Sequence, residues 1–297
     1  VSDTKLSHLE NLLKSYGSTL VAYSGGVDSV FLAYVAHRVL GPLSVAAIAD
    51  SPSLPRRELQ EALDIAQQFG FAVRVIKTEE FSNHDYTSNP LNRCYFCKHE
   101  LFTELVPLAQ ELGLKVISYG ENASDVGDYR PGAQAAKEFA IRAPLKEANL
   151  SKAEIRRLSA RFGLPTTDKP QMACLSSRVP HGEPVTELKL QMIEAAENVL
   201  RDLGFFDVRV RHHELSGTGT FTSPPVRPEA NNLATPLIRQ ALARIEVGGS
   251  ELPRLLDTQT AAHIATELKR IGYAHVTLDL HGYRRGGANN LAEQAST

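Results

Sequence analysis

The chain has 297 residues, longer than a single hydrophobic core usually grows, so two domains or one large α/β unit with an appendage are expected. Its 32 Lys and Arg stand against 34 Asp and Glu, a net charge of −2, which excludes a surface built to wrap polyanions and makes a nucleic-acid partner unexpected. Three cysteines do not make a disulfide framework, no apolar run approaches the roughly 18 to 20 residues of a membrane span, and VSDTKLSHLE lacks the basic start and apolar middle of a secretory signal. No membrane partner and a reducing cytoplasm are therefore expected.

In chain order, LSHLENLLKSYG has helical spacing, TLVAYS is a short apolar strand, and DSVFLAYVAHRVL is helical again after a glycine turn. SVAAIAD predicts a buried strand, PRRELQEALDIAQQFG a helix ending at Gly70, AVRVIKT a strand, HELFTELVPLAQELG a helix and KVISYG another strand. Alternation of this kind predicts a doubly wound parallel sheet with helices on both faces. SKAEIRRLSARFG adds a helix with Ser151 as N-cap, Glu154 completing the capping box and Gly163 at the C-terminal end. Past residue 178 the texture changes. VPHGEP leads to a helix over TELKLQMIEAAENVLRDLG, strands DVRVRHH and ALARIEV, a helix over RLLDTQTAAHIATELKRIG and a strand AHVTLDL, which together read as a small α+β domain, 179–297, after a first domain of 1–178. Between its first two strands, residues 214–236 are rich in Gly, Pro, Ser, Thr and Asn without periodicity, the composition of a flexible or functional insertion. The tail GGANNLAEQAST is expected to fray.

The hexapeptide SGGVDS, Ser24, Gly25, Gly26, Val27, Asp28 and Ser29, falls between a buried strand and a helix. Two glycines there leave backbone N–H groups unobstructed at a helix N-terminus, a cradle for phosphate oxygens, while Ser24 and Ser29 add hydroxyl donors and Asp28 is placed to hold Mg2+. No GK[ST] follows, so it is not a Walker A loop, and it is not GxGxxG. An isolated GG pair would make only a turn; the full hexapeptide in this frame argues for a pyrophosphate site.

On that hexapeptide the chain resembles the PP-loop, or N-type, ATP pyrophosphatases, whose signature is SGGxDS after the first strand. The resemblance implies cleavage of ATP between its α and β phosphates, with AMP left on a substrate oxygen, and a site at the carboxyl ends of the strands where strand order reverses. It implies a second motif facing the first: YGENASDVGDYRPG, with Gly120, Asn122, Asp125, Asp128 and Arg130. It also puts Asp50 and Ser51, at the end of AIADSP, near adenine and ribose; for Asp50 a turn-closing role is equally open.

RCYFCK places Cys94 and Cys97 two residues apart, and Cys174 lies in QMACLSSRVPHG. By itself CxxC reads as a redox pair, half a zinc site or two packed thiols, and a Cys3His site with His84 or His99 stays open. NRCYFCKHELF, GDYRPG, QMACLSSRVPHG, VRVRHH and GYRRGG, in that order, resemble the LarE family of ATP-dependent sulfur transferases, which make the nickel-pincer nucleotide of lactate racemase. The resemblance covers almost the whole chain. It implies that ATP activates the carboxylates of pyridinium-3,5-biscarboxylic acid mononucleotide for conversion to thiocarboxylates, in a homo-oligomer. In one branch a single cysteine, here Cys174, gives up its own sulfur. In the other, a CxxC pair and that cysteine hold a 4Fe-4S cluster carrying an extra sulfide, and the set Cys94, Cys97 and Cys174 matches this branch because it uses every cysteine in the chain. Arg178 lies one helical turn beyond Cys174 if that stretch is helical and could favour its thiolate. Arg209 and Arg211 alternate on their strand and, with Arg178, are candidates for the substrate phosphate; a solvated strand face is their plain alternative. His212 and His213 face opposite ways on a strand and do not share an ion. Other readings are a tRNA thiolase, an amide-forming synthetase and a non-catalytic ATP sensor.

Overall fold

A computed structural model describes residues 2–125, 131–170, 173–215 and 240–284. The candidates Asp128 and Arg130, nearly all of the 214–236 insertion and the C-terminal tail lie outside the described residues. The chain forms two compact units, Val1–Leu175 with Pro184–Thr186, and Ser176–Glu183 with Glu187–Thr297. The expected break after residue 178 falls within the stretch where the chain passes between the units.

The first unit holds four parallel strands, β1 (Thr19–Ala22), β2 (Ser44–Asp50), β3 (Ala72–Lys77) and β4 (Val116–Tyr119), in the order β3-β2-β1-β4. This is the expected doubly wound arrangement. β1 and β2 are mostly apolar because both faces are covered, whereas the edge strand β3 carries Arg74 and Lys77 and is largely exposed. Val21, Ala46 and Ile48 belong to one core with Val30, Phe31 and Leu13, whereas Leu20 and Ala47 belong to a second with Phe102 and Leu105. Each fully buried Leu or Phe stabilises the unit by roughly 1.5–3 kcal/mol. Strand order reverses at β1, with β2 on one side and β4 on the other, which opens a crevice at the carboxyl ends of β1 and β4.

The helix after β3 runs Arg93–Glu111, six residues earlier than its apolar spacing predicts, so both CxxC cysteines fall in its first two turns. Hydrophobic periodicity misses this start because RCYFCK faces a polar and sulfur-bearing environment. Short helices at His84–Thr87, Pro131–Glu138 and Pro144–Glu147 were likewise invisible to periodicity.

The second unit is a mixed sheet of β5 (Val208–Glu214), β6 (Ala241–Val247) and β7 (Tyr273–Leu278). β5 and β6 are antiparallel, β6 and β7 parallel. Val208, Val210, Ala243 and Ile245 form its core with Ala196 and Leu200 of helix Glu187–Asp202 and Ile264 and Leu268 of helix Thr258–Ile271. The single helix expected over 254–272 is two, Leu252–Leu255 and Thr258–Ile271. Asp257 breaks it by capping the second helix, accepting the Thr260 N–H at 2.9 Å. Among the described residues no helix is long and apolar enough to cross a membrane.

Candidate active site

The turn after β1 has the properties its sequence demands. Gly25 has φ +71°, and a Cβ there would stand 2.8 Å from the Ala62 Cβ, so both conformation and space require glycine. The Ser24 N–H donates to Ser29 Oγ (3.1 Å), Ser29 Oγ donates to the Gly26 carbonyl (3.1 Å), and the Ser24 and Ser29 hydroxyls meet at 3.1 Å. Gly26 caps helix Val27–Leu40 without any side chain over its end. The first-turn N–H groups therefore keep the unsatisfied donors and positive dipole end that bind an anion.

Asp28 lies in that first turn. Its Oδ2 receives the Lys152 ammonium at 2.6 Å, whereas its Oδ1 is buried with no hydrogen-bond partner. Burial raises the Asp28 pKa; Lys152 opposes this, and the charge of Asp125 adds to it. Two carboxylates within electrostatic reach, one with an orphaned buried oxygen, fit a divalent cation, with Lys152 partly standing in for its charge. Lys152 is placed by the capping box that the sequence predicts, in which Ser151 Oγ accepts the Glu154 N–H (3.3 Å) and Glu154 accepts the Ser151 N–H (2.9 Å). The second motif meets the first directly. A Cβ on Gly120 would lie 3.0 Å from the Ser29 nitrogen and 3.1 Å from the Asp28 Cβ. Beyond it, Asp125 Oδ2 accepts the Asn122 N–H at 3.1 Å, and Asn122 Oδ1 accepts the Ser124 N–H at 2.9 Å.

Asp50, at the end of β2, is ion-paired with Arg56, which also donates to the Ser51 and Leu54 carbonyls (both 2.7 Å). That is the turn-closing role. Ser51 is buried, and its Oγ accepts the Ser53 N–H at 3.1 Å.

The three cysteines converge within the first unit. Burial pushes the Cys97 thiol far up, and the charges of Cys174, Glu80 and Cys94 add to this in that order. Burial also raises Cys94, followed by Cys174, against the lowering effect of Arg93 and Lys98. Cys94 is nevertheless exposed at the surface, whereas Cys97 and Cys174 are half-buried. The cations beside the pair are thus Arg93 and Lys98. Arg178, expected one helical turn from Cys174, does lie in a short 3-10 turn, Leu175–Arg178, but directs its guanidinium onto Glu197. Among the described residues no three His, Cys, Asp or Glu stand close enough to hold a single metal ion. A cubane places its thiolates on different irons and so spaces them more widely, and thiols that resist ionising beside one another lose that resistance to a cationic core.

In the second unit the three candidate arginines are buried. Arg178 grips Glu197 through Nε and Nη2 (2.8 and 3.2 Å), and Arg211 grips Glu246 through Nε and Nη2 (both 3.0 Å) and donates to the Ser177 carbonyl (2.8 Å). Arg209 donates to the Val208 carbonyl (2.7 Å) and stacks over Tyr283. Burial, then the charge of Arg178, pull the Arg209 pKa down. Burial would raise Glu197, but Arg178, Arg201 and Arg209 outweigh it and hold the carboxyl below its usual range. Arg178, Arg209 and Arg211 thus have Glu197, Asp207 (3.7 Å) and Glu246 as ion-pair partners, with the charge of Arg178 still felt at Arg209. As alternation predicts, His212 and His213 diverge. His212 faces the Tyr273 hydroxyl (3.3 Å), and His213 responds to Arg244, Arg211 and Glu246.

The family model described as NAD synthase matches residues 3–89, which include SGGVDS. An uncharacterized protein of Synechocystis is 43% identical over 288 residues, 96% of this chain and 98% of that protein. Pyridinium-3,5-bisthiocarboxylic acid mononucleotide synthase of Lactiplantibacillus plantarum is 30% identical over 293 residues, 98% of this chain and 96% of that protein. The chain belongs to this synthase family, LarE. An uncharacterized protein of Methanocaldococcus jannaschii is 27% identical over 213 residues, covering 71% of this chain and 81% of its own.

Membership in the LarE family brings ATP as the nucleotide and an α/β PP-loop unit as its holder. The structure brings together Ser24, Gly25, Gly26, Val27, Asp28, Ser29, Gly120 and Asp125, and separately Cys94, Cys97 and Cys174. Sequence reasoning missed Lys152, Arg93, Lys98 and Glu80. The signal for Lys152 was present, since a lysine directly after an N-cap projects from a helix start. Glu80 left none, because the two adjacent acids in KTEEFS read as surface, yet Glu80 is 3% exposed and its Oε2 has no hydrogen-bond partner.

Proposed function

We propose that the protein is an ATP-dependent sulfur transferase that adenylylates the carboxylates of pyridinium-3,5-biscarboxylic acid mononucleotide and converts them to thiocarboxylates. The observation that carries the reading is the convergence of Cys94, Cys97 and Cys174 in the same unit as the SGGVDS turn, in a LarE-family chain. A carboxylate resists nucleophiles, so its oxygen must first become part of a leaving group. Its attack on the α phosphorus breaks the bond to pyrophosphate and leaves an acyl adenylate. The first-turn N–H groups of helix Val27–Leu40, with Ser24 and Ser29, would hold the departing pyrophosphate. Asp28 and Asp125 would hold Mg2+, which supplies charge neutralisation to the phosphates, and Lys152, relieved of Asp28, would add its own. Gly120 and Asn122 close the nucleotide side, with Asp50 and Ser51 near the ribose.

Sulfur then attacks the acyl carbon and AMP leaves. Cys94, Cys97 and Cys174 would hold a 4Fe-4S cluster, which supplies sulfide as nucleophile when bound. In the sacrificial alternative, Cys174 itself provides the sulfur. The arginines of the second unit, Arg178, Arg209 and Arg211, are the candidates for the phosphate of the mononucleotide: burial and then the charge of Arg178 lower the Arg209 pKa, and an anion beside them would relieve that repulsion.

Anaerobic purification with iron and sulfide analysis, followed by intact mass before and after one turnover, tests both halves. Pyrophosphate release that needs the mononucleotide, with iron bound and the polypeptide mass unchanged, is the expected result. Loss of H2S from Cys174 would replace the cluster route by the sacrificial one, and ATP cleavage indifferent to the mononucleotide would overturn the function. Cys174→Ala should release pyrophosphate without forming thiocarboxylate.

A further inference from the structure

Ser53 is a junction between three segments of the first unit. It lies in the loop that leaves β2, and its N–H donates to Ser51 Oγ at 3.1 Å, so it shares a turn with the proposed ribose side of the nucleotide site. Its carbonyl accepts the Leu175 N–H at 2.9 Å, one residue after Cys174. Its hydroxyl meets the Tyr86 hydroxyl at 2.6 Å. Tyr86 lies on helix His84–Thr87, which leads into the CxxC helix, and the connection is stiffened by Asn89, whose Oδ1 accepts from Arg93, the residue before Cys94. Ser53 and Tyr86 are 3% and 1% exposed.

We infer that the buried Ser53–Tyr86 hydrogen bond is a positioning device that couples the nucleotide loop to the placement of the sulfur-bearing cysteines. The inference rests on the sulfur-transferase reading. Neither hydroxyl carries charge or touches a reacting atom, so both act through the segments they join. The bond joins two buried hydroxyls, and removing either side chain's hydroxyl removes that link. A shift of the β2 loop is therefore passed through one short bond to the approach of Cys94 and Cys97 and through one backbone bond to Cys174. Misplacement of reacting groups by about 1 Å costs on the order of 10²-fold in rate. The ring of Tyr86 packs against Phe81 with centroids 5.3 Å apart and does not need the hydroxyl for that contact.

The test compares pyrophosphate release with thiocarboxylate formation in single turnovers of the anaerobic full-length wild type, Tyr86→Phe and Ser53→Ala. Tyr86→Phe should keep pyrophosphate release within about twofold and lose thiocarboxylate formation by at least about tenfold, up to the 10² range. Ser53→Ala removes the same bond from its smaller side and must show the same split, which keeps the test valid if one variant folds poorly. Equal losses in both steps, or no loss in the second, overturn the inference. If the wild type releases no pyrophosphate with the mononucleotide, the functional reading falls instead. The coupling is then read from mass-resolved alkylation of the three cysteines, which ATP should alter several-fold in wild type and leave unchanged in Tyr86→Phe; the same ATP response in both proteins overturns it.

Discussion

The two anion sites proposed for this chain would be built by opposite means. The turn at Ser24–Ser29 uses backbone N–H groups and a helix end, carries almost no fixed positive charge, and leaves Asp28 Oδ1 buried without a partner. The arginine face of the second unit uses full charges held by carboxylates, Arg178 by buried Glu197, Arg211 by buried Glu246 and Arg209 by Asp207. A backbone site depends on conformation and on an added cation. A side-chain site depends on an ion-pair network that is also part of the small unit's structure. Substitutions in the first should therefore cost activity, and substitutions in the second should cost stability.

The comparison is tested hardest at Arg178. Arg178→Ala strips the main partner from a fully buried carboxylate, and breaking such a pair costs about 3–5 kcal/mol. Calorimetry should show the second unit melting early; a melting temperature equal to wild type would mean that the arginine is held for binding alone. Asp28→Asn should do the reverse. Burial already disfavours its charge, so stability should hold or rise, while pyrophosphate release falls about 10²- to 10³-fold. A variant that unfolds yet keeps its rate would invert the assignment.

The third effect concerns pH and again separates the units. Burial, then Lys189, hold the His212 pKa down at about 4, whereas an unfolded histidine titrates near 6.5. Between those values the native state binds fewer protons than the unfolded state, so stability is complete above about pH 6.5 and declines as pH falls toward about 4. The loss is on the order of 3 kcal/mol. Glu197, held below the usual carboxylate range, adds a further loss at lower pH. His212→Gln should flatten the melting temperature between pH 6.5 and 4.5, and an unchanged slope would place the acid sensitivity elsewhere.

Much of the first unit was legible because its signals are local. Strand, glycine turn and helix follow one another within twenty residues at SGGVDS, and the Ser151–Glu154 capping box lies within one helical turn. The start of the CxxC helix was not legible, because its first turns carry sulfur, aromatic and basic side chains in place of a hydrophobic stripe. In the second unit, alternation placed Arg209 and Arg211 on one strand face but could not name their partners. Glu246 reaches Arg211 only because the register sets Arg209 opposite Glu246 and Arg211 opposite Arg244.

The sequence by itself determined the strands and most of the long helices, the glycine turn and the inventory of sulfur, because turn geometry, helix capping and periodic burial are decided by neighbours a few residues apart. Only the tertiary structure decided which charges meet. Lys152 reaches Asp28 across 124 positions, Ser53 reaches both Tyr86 and Leu175, and Cys174 reaches the CxxC pair from some eighty positions away. Such pairs are set by strand order, by register and by where loops return, and long-range electrostatics then selects among the partners that packing has already brought within a few ångströms.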